Sequence, residues 1–202
     1  MKLYYAPGVC SLSPHIALRE AGLEAQLVKV DIAKHTLADG SDYRQVNPLG
    51  YVPVLVLDDG EQLQEGPAIV QYIADLAPAS GLAPAAGTME RYRLQSWLAF
   101  VNSELHKASA PLFDPSTPAA VKDAVRAKFA TRLDWVAQRL GEQAYLLGDR
   151  FSVADGYLFT VLSWGPFIGI DLARWPVLKA YHERVGSRPA VKAAMRAEGL
   201  LR

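Results

Sequence analysis

Cysteine is almost missing from this chain: Cys10 is the only one in 202 residues. That excludes an internal disulfide framework. It also excludes a Cys-x-x-Cys redox pair, because the residue three positions on is Ser13. A surplus of either charge is missing too. Lys and Arg together number 21, as do Asp and Glu, so a nucleic-acid partner, which needs a basic excess, is not expected. No run approaches the roughly 20 apolar residues that cross a bilayer, and no membrane contact is expected. The N-terminus reads as a short strand turning at Pro7-Gly8, without the long apolar core of a secretory signal. With one unpaired cysteine, this points to a reducing, cytoplasmic setting. The four histidines (His15, His35, His106 and His182) are scattered, with no HExxH pair or Cys/His cluster, so no metal is expected. A Gly-rich phosphate loop is absent, and no nucleotide cofactor is expected either.

What remains is an ordinary globular composition, 50% hydrophobic and 21% charged, arranged in two contrasting stretches. The first alternates strand and helix patterns. Lys2 to Tyr5 is a strand. Ser11 to Ala21 is a helix stopped by Gly22, and Gln26 to Asp31 is a second strand. Ala33 to Asn47 is polar and without period, so a loop with a short helix is expected. Pro53 to Leu57 is an apolar strand, broken by Asp58-Asp59-Gly60 and paired back by Gln62 to Gln64. Glu65 to Ala77 is a helix. The order is βαβ followed by ββα. Pro and small residues then dominate Pro78 to Gly87, as in a linker. Beyond it, five segments carry helical spacing: 88–110, 118–141, 152–164, 173–186 and 189–197. The predicted architecture is an α/β domain over 1–78, a linker over 79–87 and an all-α domain over 88–202.

Cys10 sits where the first helix begins. Unpaired backbone N–H groups and the positive end of the helix dipole favour a thiolate there, the reactive form of the residue. With no resolving partner in the chain, disulfide chemistry at Cys10 needs a second thiol from outside. A small thiol such as glutathione is the natural candidate. A lone cysteine is more commonly buried and inert; the strand–turn–helix setting weighs against that. Val52-Pro53 opens the apolar strand. An X-Pro bond taken alone is expected to be trans. The βαβ–ββα order with a helix-start cysteine is thioredoxin-like, and such folds carry a cis-proline here. The cis bond leaves the preceding backbone, here Val52, able to pair with a peptide-like ligand. Glu65 and Gly66 open the next helix. There a carboxylate side chain suits an ammonium, and an open N–H suits a carboxylate.

The ordered strings Cys10-Ser11-Leu12-Ser13-Pro14-His15, Asn47-Pro48, Val52-Pro53-Val54-Leu55, Glu65-Gly66-Pro67-Ala68, Glu104-Leu105-His106-Lys107 and Val153-Ala154-Asp155-Gly156-Tyr157 span nearly the whole chain. On them the sequence resembles the bacterial beta-class glutathione S-transferases. The resemblance implies the two-domain glutathione transferase fold and glutathione as co-substrate. Cys10, with Ser11 and His106, would lie at the glutathione sulfur. Val52, before Pro53, would pair with its cysteinyl part, and Glu65 and Gly66 would hold its γ-glutamyl end. Ser103 and Glu104 would approach the glutathione of a neighbouring subunit, implying a homodimer.

Two positions depart from the family pattern. His35, preceded by Lys34, stands where a lysine usually meets the glycyl carboxylate, so either residue is a candidate for that contact. Ala99 replaces an asparagine. Helical spacing puts Ala99, Ser103 and His106 on one face, with Asn102 also sharing a face with His106. On that face His106 is expected to donate to a thiolate and hold it ionised. Leu112, Phe113, Tyr157, Trp164 and Phe167 are candidates for the wall of an apolar second-substrate pocket; aromatic residues at this spacing also serve as plain core. Ser152-Val153-Ala154-Asp155 has capping-box spacing and is expected to serve folding, not chemistry. The expected activity is conjugation of glutathione to apolar electrophiles, with thiol–disulfide exchange or peroxide reduction through Cys10 beside it. A non-catalytic ligand-binding or regulatory protein on the same fold is the alternative.

Overall fold

Alternation along the first strand organises the N-terminal sheet. In β1 (Lys2–Tyr5) Leu3 and Tyr5 are buried, while Tyr4 points to the opposite face and meets the Tyr43 ring at 5.5 Å, as a period of two requires. The structure, a computed structural model, describes residues 1–201. Around β1 lies a five-stranded sheet in the order β3-β2-β1-β4-β5. β2 (Gln26–Asp31) runs parallel to β1. β4 (Val54–Val56) is antiparallel to β1, with Tyr4 opposite Val54, and β5 (Gln62–Gln64) returns along β4. The parallel β1–β2 pair needs a crossover, supplied by α1 (Leu12–Ala21). Gly22 ends α1 in the left-handed region at φ 67° and returns its N–H to Leu18 and Arg19. α2 is Gly66–Leu76.

The expectation of a loop with a short helix over Ala33 to Asn47 omits one element. Thr36–Leu37 form a short edge strand, β3, antiparallel to β2, and Tyr43–Gln45 are a 3-10 turn. Two residues are too few to show a period, so only the pairing reveals the strand. Tyr43 anchors this segment: it is fully buried among Ala6, Val30, Val52 and Val54, and its hydroxyl donates to the Tyr51 carbonyl at 2.8 Å.

The described chain divides into two compact units. The second, from Pro84 to Ser187, is helical: α3 (Met89–Phe100), α4 (Ala110–Phe113), α5 (Ala119–Leu140), α6 (Val153–Leu162), α7 (Gly165–Ile168) and α8 (Pro176–Gly186). The last helix, α9 (Pro189–Ala197), belongs with the N-terminal unit. The expected all-α domain over 88–202 therefore loses its final segment to the sheet domain. Specific contacts hold it there. α9 packs on α1, and Arg188 makes a two-pronged ion pair with Glu20. Just past the helix, the buried Glu198 accepts from the Gly8 N–H at 2.8 Å and meets His15 Nδ1 at 2.9 Å.

Glu198 thus ties the C-terminal segment to the Pro7–Cys10 turn. Glu198→Ala leaves the Gly8 N–H and the buried His15 ring without their acceptor. Unsatisfied buried groups of this kind cost about 1–3 kcal/mol each. A urea melt should show the variant destabilised on that scale, with Glu198→Gln intermediate because one acceptor oxygen survives.

Candidate functional site

In the N-terminal unit the site is built around the turn between β1 and α1. Ser11, expected beside Cys10 as a catalytic group, turns inward instead. Its fully buried hydroxyl accepts from the Ala6 N–H and donates to the Ala6 carbonyl, both at 3.1 Å. That double bond to one residue closes the turn and leaves Cys10, half-buried, at the edge of the helix start. Cys10 Sγ lies 3.2 Å from the Val52 carbonyl oxygen, across from the cis Val52–Pro53 peptide. Two segments 42 residues apart are brought within one hydrogen bond. A thiol that donates to a carbonyl is protonated, so this contact opposes the thiolate preference of the helix start.

Two residues predicted to bind glutathione share a backbone feature. Among the described residues, His35 (φ 54°) and Glu65 (φ 66°) are the non-glycine positions with positive φ. Such conformations cost on the order of 1–3 kcal/mol and gather at functional sites. Glu65 is exposed and precedes α2; its carbonyl accepts from the Ala68 and Ile69 N–H groups. Pro67 has no N–H, and the Gly66 N–H takes no partner among the described residues. A side chain added at Gly66 would meet open space, so a ligand could reach this helix start. Lys34 and His35 separate clearly. The Lys34 side chain is 77% exposed beside Asp31. The His35 ring instead lies on Gly50, where a Cβ would fall 2.4 Å from Nδ1, and that buried nitrogen has no hydrogen-bond partner. Gly50, itself at φ 68°, is required by that close approach. Of the two candidates, His35 is the one directed at the loop that leads into Val52.

In the helical unit α3 stops at Phe100, and Val101–His106 form a π-helical turn closed by the Lys107 N–H on the Asn102 carbonyl. The even helical register expected through Ala99, Ser103 and His106 is therefore broken. Such single wide turns are frequent at functional sites. Ser103 and Ala99 are exposed. Glu104 is engaged within its own chain by Arg132, at 3.0 Å from Nε and 2.9 Å from Nη2. Asn102 and His106, expected to share a face, both meet Tyr157 on α6. The Tyr157 hydroxyl lies 2.7 Å from His106 Nδ1 and donates to Asn102 Oδ1 at 2.9 Å.

Of the five pocket candidates, Trp164 packs edge-on to both His106 (5.0 Å) and Phe113 (5.8 Å). Leu112, Tyr157 and Trp164 are nearly buried, whereas Phe113 and Phe167 are exposed. Phe113 and the rim of Trp164 therefore offer apolar surface beside His106. Tyr157 serves as a polar partner, and Phe167 takes no part in the ring contacts among the described residues. Sequence reasoning missed the Tyr157 role. An aromatic residue in a helix otherwise buried along its length reads as core, and nothing local announces its hydroxyl.

Burial, with a smaller contribution from Lys107, lowers the His106 pKa from 6.5 to about 4. The folded ring is neutral at physiological pH. An unfolded chain takes up this proton near pH 6.5 and the folded chain only near 4, so the contribution to stability is whole above the first value. It is lost progressively as pH falls through the window. Urea midpoints should fall between pH 7 and pH 4 by more in the wild type than in His106→Gln, which has no group to titrate there. Among the described residues no set of three His, Cys, Asp or Glu is arranged to hold a metal, and no helix is long and apolar enough to cross a membrane.

A β1–α1 cysteine facing a cis-proline in a βαβ–ββα sheet, followed by a helical unit, defines a thioredoxin-like, thiol-handling class of protein. Comparison with known proteins narrows it. Residues 9–76 match the glutathione S-transferase N-terminal domain and residues 100–189 its C-terminal domain. Over 99% of its length the chain is 45% identical to glutathione S-transferase GstA of Escherichia coli O157:H7, covering all of that protein. A sphingomonad glutathione S-transferase solved in complex with glutathione superposes with a TM-score of 0.95 at 50% identity, over 99% of this chain and all of the other. The beta-class enzyme of Sphingomonas chungbukensis gives 0.96 at 49%, over the full length of both chains. The chain belongs to the glutathione S-transferase family, and its strong likeness is to bacterial beta-class members.

Proposed function

We propose that this protein is a beta-class glutathione S-transferase that conjugates reduced glutathione to apolar electrophiles. The observation that carries the reading is the approach of Cys10 Sγ to the Val52 carbonyl across the cis-proline. It supports a cleft in which the cysteinyl backbone of a glutathione would pair with Val52 and lay its sulfur beside Cys10. The strained Glu65 and the open Gly66 N–H suit the ammonium and carboxylate of the γ-glutamyl end. His35 suits the glycyl carboxylate. Ser11 positions the turn. His106 serves the thiol, with Phe113 and Trp164 offering apolar surface to the electrophile. Binding lowers the entropy barrier by holding thiol and electrophile together. We take the protein to act as a homodimer, with Ser103 and Glu104 near the partner's glutathione, in the reducing cytoplasm that a single cysteine suits.

Calorimetric titration with reduced glutathione at about pH 6.5 and about pH 8 tests the reading. Saturable binding is expected at both. Absence of heat at millimolar glutathione would overturn the reading and leave a regulatory or storage protein on the same fold.

A further inference from the structure

We propose that Glu198 and Leu200, from the segment after α9, are positioning residues for Cys10: they clamp Gly8 and so hold the Cys10 thiol against the Val52 carbonyl. Three ties fix the turn that carries the thiol. At its inner end the Ser11 hydroxyl bonds both backbone groups of Ala6. At its far end the Leu12 N–H donates to the Val9 carbonyl at 2.9 Å and joins the turn to α1. Gly8 lies between them and is tied from outside the turn. Its N–H donates to Glu198 Oε2 at 2.8 Å, across 190 residues. Its α-carbon lies against Leu200, where a Cβ on Gly8 would fall 3.3 Å from Leu200 Cδ2.

The surroundings keep this clamp in place. The other carboxylate oxygen of Glu198 meets His15 Nδ1 at 2.9 Å, and both side chains are buried. A buried carboxylate engaged at both oxygens cannot turn away from Gly8 without leaving a polar group unpaired. Gly8 stands in the left-handed region at φ 72°. A glycine has wide conformational freedom, so a tie from outside is what selects this one conformation.

The consequence falls on Cys10, two residues on. Its Sγ donates to the Val52 carbonyl at 3.2 Å, and that bond lasts only while the turn keeps its shape. A thiol that donates to a carbonyl is held protonated and in place; once released, it ionises and meets reagents more readily. The C-terminal segment thus restrains the sole cysteine of the chain. The bearing of this restraint on disulfide exchange rests on the proposed glutathione reading, whereas the restraint itself does not.

The test is the rate at which iodoacetamide alkylates the full-length protein at neutral pH without denaturant, followed by intact mass. The Cys10 sulfur bonds to the reagent carbon, iodide leaves with its bonding pair, and the thiol proton passes to solvent. With one cysteine in the chain, each added group reports Cys10. Glu198→Ala is expected to raise the rate about tenfold, the scale of one hydrogen bond. Glu198→Gln is expected to fall between the two, because one acceptor oxygen survives. Leu200→Ala, which leaves no polar group unpaired, is expected to raise the rate by less than Glu198→Ala does. Arg188→Ala is the control. It breaks the ion pair with Glu20 and keeps Glu198 and Leu200, so it should alkylate at the wild-type rate despite a lower urea midpoint. A wild-type rate in Glu198→Ala, or an equal rise in Arg188→Ala, overturns the proposal. Should Glu198→Ala not fold, wild-type rates in both Glu198→Gln and Leu200→Ala overturn it. Failure of the glutathione reading looks different. The alkylation series holds, but the wild type neither produces heat with glutathione nor exchanges disulfides.

Discussion

Cys10→Ala is expected to abolish thiol–disulfide exchange while conjugation persists. Exchange requires the Cys10 thiolate to attack a glutathionyl mixed disulfide. One S–S bond breaks, the substrate thiol leaves with its electron pair, and Cys10–glutathione forms. A second glutathione thiolate then attacks that bond, releasing Cys10 and oxidised glutathione. Alanine has no sulfur for either bond, so the loss is total. Conjugation uses the sulfur of glutathione itself. Its needs, the Val52 carbonyl, the turn held by Ser11 and the Glu65–Gly66 helix start, do not involve the Cys10 side chain. The variant even frees the Val52 carbonyl from the bond it receives from Cys10. Paired assays with an aromatic halide and a glutathionyl mixed disulfide check the split. Equal loss of both activities would assign conjugation to Cys10 as well.

The largest effect on stability is expected at Asp155→Ala. The Asp155 carboxylate is wholly buried and accepts four hydrogen bonds: from the Leu146 N–H (2.8 Å), the Ser152 N–H (2.8 Å), the Ser152 hydroxyl (2.7 Å) and the Tyr181 hydroxyl (2.8 Å). Burial pushes its pKa up and the four donors pull against that shift. Removing it orphans donors from the turn before α6, the α6 N-terminus and α8 together. Breaking such a buried set costs about 3–5 kcal/mol, a large share of the 5–15 kcal/mol typical of a folded domain. Urea denaturation should place the midpoint far below wild type. Asp155→Asn should recover little, because its amide hydrogens face donors. Ser152→Ala, losing one hydroxyl bond, should cost about 1 kcal/mol. A destabilisation of Asp155→Ala no larger than that of Ser152→Ala would refute the idea that this carboxylate joins three segments.

The capping box shows why this part of the chemistry was legible in advance. Its residues are three apart, and local spacing alone pairs them. The Tyr181 and Leu146 contacts that turn a cap into a junction were not, because they come from 26 and 9 residues away. The same division runs through the site. Cys10, Val52-Pro53 and Glu65-Gly66 announce themselves through turn and helix-start chemistry, and the structure places Cys10 opposite Val52. The inward turn of Ser11 depends on Ala6 folding back over the loop. The choice between Lys34 and His35 depends on Gly50, which sequence spacing does not connect to either.

What the sequence determined by itself was the order of elements and the residue types at their starts. Strand alternation, helical spacing, a lone cysteine and a proline before an apolar strand are local signals, read within a few residues. Tertiary structure alone decided the allegiance of the last helix, set by Gly8 and Glu198 at a separation of 190 residues. It also decided the polar partner of His106, a hydroxyl 51 residues away. Both depend on which polar atoms meet once the chain is closed. A buried hydrogen bond takes its energy from that meeting and leaves no periodic trace in the sequence.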